Sequence, residues 1–179
     1  MSILETQGLV KHPVDAVFAA NRDALALAIA HVDDLEYTVE ERLQGVDGVV
    51  ELRNVWRASI PIPPIVQSVI EPRMVVWTDR SIWTSHDRTA RWSIFAPYFP
   101  DRVHCSGVTT YEETVSGQTR VTMRGKIEID ARGIGLPTMA EQAIARGVEE
   151  FVAGMFPWSF RKVIDGVSRH LSDRARAAR

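Results

Sequence analysis

Residues 136–171 carry the pattern that most constrains how this chain folds. Thr138 and Glu141 match the pattern of a capping box, in which a Thr at the N-cap and a Glu three residues later can satisfy each other's backbone donors. Apolar residues then recur at spacings of three and four, which places them on one face of a helix. They are Ile144, Val148, Phe151, Val152, Met155, Phe156, Phe160, Val163, Ile164, Val167 and Leu171. A helix of this length extends about 50 Å, so its apolar face needs a broad apolar partner.

The chain before this helix supplies that partner as a series of strands. From Leu35 the apolar residues alternate with polar ones, and short turn sequences such as Asp47-Gly48 separate the runs. The predicted elements are a strand at 2–11, short helices at 13–20 and 24–32, and strands at 35–43, 49–59, 74–84, 89–96, 103–114 and 119–130. Short connections make neighbouring strands antiparallel. We therefore predict an α+β fold, in which a curved seven-stranded antiparallel sheet wraps around the long C-terminal helix.

Composition excludes several classes of protein. The chain has 179 residues, enough for one domain spanning 1–179, with an arginine-rich segment at 172–179 predicted as a disordered tail. Its net charge of -2 gives no general attraction to nucleic acid or to anionic membranes. The single cysteine excludes an internal disulfide. Neither a secretory signal nor an apolar run long enough for stable membrane insertion is evident, so we expect a cytoplasmic protein.

Large apolar side chains concentrate where the sheet and the helix would meet. The sheet contributes Trp56, Trp77, Trp83, Trp92, Tyr111 and Met123, and the helix contributes Phe151, Met155, Phe156, Trp158 and Phe160. Bulky, rigid groups that cannot all interdigitate leave space between two layers, and ligand pockets are lined by such groups. The alternative from the residues alone is a filled core in which the tryptophans simply pack.

Polar groups with chemical potential are few. Asp79 and Arg80 lie in mid-strand between Trp77 and Trp83, and together with Cys105 they are the candidate polar groups of a cavity. The five histidines stand apart from one another, with no zincin spacing, and no nucleophile elbow or dinucleotide fingerprint is present. We therefore predict no metal, no cofactor and no identifiable catalytic residue.

Pro157 interrupts the hydrogen bonding of the long helix. It lacks the N–H that would bond to the carbonyl of Ala153, at a cost of about 3 kcal/mol. The apolar pattern keeps its phase across Pro157, which predicts one kinked helix and not two helices.

The order of elements resembles the helix-grip fold of the START-like superfamily, also called SRPBCC or birch-pollen-allergen-like. The likeness covers almost the whole chain, and in layout it is nearest to PRELI-type and related uncharacterised bacterial branches. It rests on the run HPVDAVF at 12–18, Ile60-Pro61, the strand at 75–83, Thr119-Arg120-Val121 and the segment 133–137. Members of this superfamily hold a lipid, sterol, polyketide or other apolar ligand between sheet and helix. The resemblance therefore implies a cavity, but it transfers no catalytic residue.

Three functions follow as hypotheses. The first is binding or transport of a hydrophobic small molecule, such as a lipid, without catalysis. The second is a polyketide cyclase/aromatase-like or hydrolase-like enzyme that uses the same cavity. The third is a protein-interaction module, which would show a large exposed apolar patch over residues 61–70.

Overall fold

The computed structural model of the chain describes residues 2–130 and 138–179, and it confirms the predicted α+β helix-grip architecture. Two short helices, α1 (Val14–Asp23) and α2 (Leu25–Ile29), follow the first strand. The C-terminal helix α3 runs from Thr138 to Ala177. The strands are β1 (Ser2–Val10), β2 (Leu35–Gln44), β3 (Val49–Ala58), β4 (Val76–Thr84), β5 (Thr89–Phe95), β6 (Val103–Glu113) and β7 (Thr119–Ile129).

The seven strands form one antiparallel sheet in the order β1-β7-β6-β5-β4-β3-β2. Five of the six strand pairs join strands that are consecutive in the chain. The sixth pairs the first strand, β1, with the last, β7, and places Gly8 opposite Val121. The curved sheet holds α3 against its inner face, and α1 and α2 pack beside that helix. Strands β1 and β2 are therefore the two edges of the sheet.

Strand β3 shows how the alternating sequence sets the inner face. Its residues Val50, Leu52, Trp56 and Ala58 are buried, as their shared parity predicts. Asn54 has the same parity and is also buried, so a polar side chain lies on the inner face among these apolar ones.

Strand β2 departs from the prediction of a half-buried strand over 35–43. A bulge interrupts its pairing, because Val39 lies opposite Asn54 while Glu41 lies opposite Arg53. The extra residue reverses the side-chain parity, so Leu43 lies opposite the outward Glu51 and is 53% exposed. Val39 keeps the inward parity, yet it is 42% exposed.

Helix α3 continues beyond its predicted end at Leu171. The segment 172–179, predicted as a disordered tail, is helical through Ala177. Elongating a formed helix avoids the cost of nucleation, and the segment is rich in Ala and Arg, which favour helix. The hydroxyl of Ser172 also lies 3.1 Å from His12 Nε2.

The start of α3 is only partly described. The helix begins at Thr138, but the side chains of the predicted capping box and the glycine pair at 133 and 135 lie outside the described residues. Further along, Pro157 stands inside one continuous helix, as predicted. The kink itself stays a prediction.

The segment between β3 and β4 packs against α3. Val66 and Ile70 are buried, and a Cβ added to Gly147 of α3 would lie 2.9 Å from Ile65. Ile65 itself is 52% exposed, and it is the one large exposed apolar side chain in residues 61–70. One exposed side chain does not form the broad apolar patch that a protein-interaction module would present there.

Candidate ligand cavity

A cavity of about 240 Å³ lies between the inner face of the sheet and helix α3. Trp158 does not line it, but the other large side chains predicted for the seam do: Trp56, Trp77, Trp83, Trp92, Tyr111, Met123, Phe151, Met155, Phe156 and Phe160. Other apolar side chains complete the lining, among them Val69, Ile70, Met74, Ile94, Phe99, Val148 and Val152. The surroundings are therefore overwhelmingly apolar.

The two halves of α3 meet the sheet differently. From Phe160 onwards the inward residues Phe160, Ile164 and Val167 are buried, with Val167 fully inaccessible. Before Phe160, the inward residues Val152 and Met155 are only half-buried, and both line the cavity. The cavity thus lies mainly along the N-terminal half of the helix and ends at Val163 and Ile164, which also line it.

Two glycines on the neighbouring strands allow the Trp92 ring to lie close against the sheet. Gly107 of β6 and Gly125 of β7 lie opposite each other. A Cβ at Gly107 would lie 2.5 Å from the Trp92 ring, and one at Gly125 would lie 2.6 Å from it. Only residues without a side chain allow the indole to approach the sheet this closely. The ring faces Phe156 of α3, with the centroids 5.9 Å apart.

A hydrogen-bonded polar network lies within this apolar cavity. Asn54 and Asp79 lie opposite each other on β3 and β4, and Asn54 Nδ2 donates to Asp79 Oδ1 at 2.6 Å. The Tyr37 hydroxyl donates to Asn54 Oδ1 at 2.8 Å. The Trp56 indole N–H also donates to Asp79. All four residues line the cavity.

The Asp79 carboxyl is the main titratable group of the cavity. Burial raises its pKa to about 6, against the lowering effect of the hydrogen bonds from Asn54 and Trp56. Burial also raises the pKa of Tyr37 well above its usual range, and the negative charge of Asp79 adds to this effect. Asp79 can therefore gain or lose a proton near neutral pH, whereas Tyr37 keeps its proton.

The indole N–H groups of two further tryptophans donate hydrogen bonds to hydroxyl groups of the cavity lining. Trp83 Nε1 donates to Ser81 Oγ at 3.0 Å, and Trp92 Nε1 donates to Thr109 Oγ1 at 3.1 Å. These pairs fix the ring orientations without presenting an indole N–H to the cavity. Tyr111 contacts Phe18 edge-on at 5.3 Å, and burial raises the pKa of its hydroxyl.

The other two candidate polar groups do not reach the cavity. Arg80 is exposed, because it follows the inward Asp79 and successive residues of a strand point to opposite faces. Cys105 is buried against Leu4 and Ile127 in a separate small cluster. Burial raises the pKa of its thiol to about 12, so it is not a nucleophile near neutral pH.

Asn54 and Tyr37 are the residues that the sequence interpretation missed. Asn54 has the parity of Leu52 and Trp56, and Tyr37 has the parity of Leu35. A polar residue at an inward position of a strand was therefore the available signal. Their partnership, however, requires the register that places Tyr37 opposite Trp56 and Asn54 opposite Asp79.

Other kinds of site find no support in the described part of the chain. No group of three or more His, Cys, Asp or Glu side chains there is placed to hold a metal ion. Across residues 2–130 and 138–179, no helix combines the length and apolarity that crossing a membrane requires.

The sheet, the long helix and the apolar cavity between them define a helix-grip fold. The chain belongs to the family described as "Protein of unknown function (DUF2505)", whose family model matches residues 7–155. No curated protein matches the chain by sequence.

Solved structures show the same fold at low sequence identity. TTHA0849 from Thermus thermophilus has a TM-score of 0.64 and 14% identity, covering 97% of this chain and 99% of its own. The Zhui aromatase/cyclase from Streptomyces sp. R1128 has a TM-score of 0.57 and 19% identity, covering 95% of each chain. Ara h 8.0201 has a TM-score of 0.53 and 11% identity, covering 96% of this chain and 98% of its own.

Proposed function

We propose that this protein binds a hydrophobic small molecule, such as a lipid, in the cavity between the sheet and α3. The observation that carries the proposal is the apolar lining of that cavity, to which sheet and helix both contribute large side chains. Neither a metal nor a cofactor is part of the proposal. Binding or transport of this kind needs no catalytic group.

The size of the cavity agrees with a small apolar ligand. Its volume of about 240 Å³ exceeds the roughly 150 Å³ of an engineered cavity that binds benzene. It lies slightly below the roughly 300 Å³ at which pockets for drug-sized ligands begin. A ligand that buries about 200 Å² of apolar surface gains about 5 kcal/mol of transfer free energy, so shape and apolarity alone give useful affinity.

Extraction tests the proposal on protein produced in cells. Denaturing extraction followed by mass spectrometry should recover an apolar compound that co-purifies with the protein. Fatty alcohols, sterols or aromatic polyketides added to the stripped protein should raise its melting temperature. Failure of both measurements would contradict the proposal.

A matched pair of variants ties the binding to the cavity. Val152→Trp places a large ring into the lining and should weaken binding of the recovered compound about tenfold or more, because it removes space from the cavity. Val115→Trp makes the same change at a fully exposed position and should leave binding unchanged. Equal affinity in the two variants would place the ligand elsewhere.

An aromatase- or cyclase-like activity is the second candidate, and Asp79 is the observation that favours it. A carboxyl with a pKa of about 6 inside an apolar cavity can accept or donate a proton in a reaction of a poly-β-carbonyl substrate. The likeness to an aromatase/cyclase supports the same direction, although it shows only the fold. Incubation with a poly-β-carbonyl thioester should give a cyclised product that Asp79→Asn abolishes. Absence of product from the wild-type protein would remove this candidate.

A further inference from the structure

We infer that the ligand is an apolar molecule that carries one hydrogen-bond donor, an amine or a hydroxyl, and that this donor binds the carboxylate of Asp79. The inference rests on the proposed function, since it names the chemistry of a ligand in the same cavity. It goes beyond that function by predicting which apolar molecules are selected and which are rejected.

The direction of the hydrogen bonds around Asp79 carries the argument. An ionised carboxylate only accepts, so Asn54 must present its NH₂ group to Asp79 and its Oδ1 atom to Tyr37. The Tyr37 hydroxyl consequently donates to Asn54. Every donor of this network therefore points toward Asp79, and the chain of bonds ends on an acceptor. The network therefore presents to the cavity a hydrogen-bond acceptor, the Asp79 carboxylate, that has room for a further donor.

Asp79 has acceptor capacity left for a ligand. A carboxylate has about four lone-pair sites, of which Asn54 and Trp56 use two. Hydrogen bonds and burial determine its ionisation, and no Lys, Arg or His of the described residues contributes to it. A buried carboxylate without a cation is costly, and a ligand donor reduces that cost.

The same geometry rejects anionic ligands. A ligand carboxylate beside Asp79 would place two negative charges together in a low-dielectric cavity. Trp56 and Trp77 lie beside the Asn54–Asp79 pair on the inner face, with their rings parallel and 6.0 Å apart. They provide apolar and π surface next to the carboxylate, which suits an ammonium group attached to an apolar body. The expected order of affinity above pH 7 is therefore amine or alcohol, then hydrocarbon, then carboxylic acid.

Four probes with one apolar body test this order by isothermal titration calorimetry at pH 8. They are naphthalene, naphthylmethanol, naphthylmethylamine and naphthoic acid. The alcohol, the amine or both should bind at least about tenfold more tightly than naphthalene, as a charge-assisted hydrogen bond implies. Naphthoic acid should bind more weakly than naphthalene. A stronger amine indicates recognition of a cation, and a stronger alcohol indicates recognition of a neutral donor.

The Asp79→Asn variant tests whether Asp79 causes the preference for the amine or the alcohol. The amide retains an oxygen that can accept from Asn54 but lacks the negative charge, so the gain of the amine over naphthalene should fall below about threefold. Naphthoic acid should bind more tightly to this variant than to the wild type. Asp165→Asn makes the same change at an exposed position of α3 outside the lining and should keep the wild-type order.

The outcomes separate the inference from the proposed function. Binding of naphthalene with no preference for the amine or the alcohol would overturn the inference and leave apolar binding intact. The same holds if naphthoic acid binds best, or if Asp79→Asn keeps the wild-type order. Because the four probes are compared on the wild-type protein, the inference can fail even if that variant does not fold. No binding of any probe would overturn both proposals.

Discussion

The two halves of α3 pack against the same sheet and produce opposite results. Beyond Ile164 the helix meets α1 and α2 in a filled core, where Val10, Val17 and Val167 are completely buried. Up to Ile164 comparable apolar residues border a cavity of about 240 Å³. We call these regions the packed end and the hollow end.

Side-chain size explains much of this contrast. At the packed end, Gly8 and Gly166 bring the backbones together: a Cβ at Gly166 would lie 2.7 Å from the Ala28 carbonyl oxygen. At the hollow end, indole rings on the sheet face phenylalanines on the helix, as Trp92 faces Phe156. Small residues permit close approach of the layers, whereas large rigid ones hold them apart. Packing at one end therefore stabilises the fold while the other end keeps its space.

The largest predicted effect is the pH dependence introduced by Asp79 at the hollow end. Its pKa is about 6 in the folded protein and 3.8 as the ordinary value, so the folded state holds the proton more tightly. The contribution of Asp79 to the free energy of unfolding is fully present below about pH 4 and is lost as the pH rises through 6. Asp79→Asn should therefore gain about 2–3 kcal/mol relative to wild type between pH 4 and pH 7.5.

Urea denaturation of both proteins at the two pH values measures this difference. Tyr37 and Tyr111 stay protonated throughout, because burial raises the pKa of each. Arg102 and Asp130, the other charged residues of the described lining, are common to both proteins and cancel in the comparison. A difference that does not change with pH would show that Asp79 is not desolvated.

A pair of identical substitutions in α3 measures the contrast between the two ends directly. Val167→Ala at the packed end should cost about 2 kcal/mol, because it removes buried methyl groups and leaves a void. Val152→Ala at the hollow end should cost less than about 1 kcal/mol, since that side chain already borders empty space. Equal losses in the free energy of unfolding would mean that the cavity is filled in solution.

The smallest predicted effect distinguishes two glycines of the same helix. Gly166→Ala should destabilise by about 1 kcal/mol net, because overpacking against Ala28 exceeds the gain in helix propensity. Gly154→Ala should stabilise by about 0.5–1 kcal/mol, since its Cβ meets nothing within 4 Å and only the propensity gain remains. Thermal unfolding of the two variants checks the sign, and stabilisation of both would contradict close packing at Gly166.

Local periodicity predicted most of the fold and the lining. The spacing of Phe151, Met155 and Phe160 identified one face of a helix, and the alternation around Trp56 and Trp83 identified the inner face of the sheet. These are properties of neighbouring residues, so they can be read without the fold. The same alternation distinguishes Asp79 from Arg80, since only Asp79 shares the parity of Trp77 and Trp83.

Several features depend on long-range pairing and were not predicted from the sequence. The bulge in β2 reversed the orientation of Leu43, and no local signal marked it. The hydrogen bonds from Tyr37 through Asn54 to Asp79 join three strands, so they exist only once the register is set. Cys105 was a candidate for the cavity and instead packs against Leu4 and Ile127.

Except beyond the bulge in β2, the sequence by itself determined which side chains face inward, because periods of two and of 3.6 follow from backbone geometry alone. It did not determine whether those side chains meet. That depends on the separation of the sheet and α3, which the close contacts at Gly8 and Gly166 set at one end and the facing aromatic rings set at the other. Only the tertiary structure decided that a cavity remains, and that the buried acceptor of Asp79 lies within it.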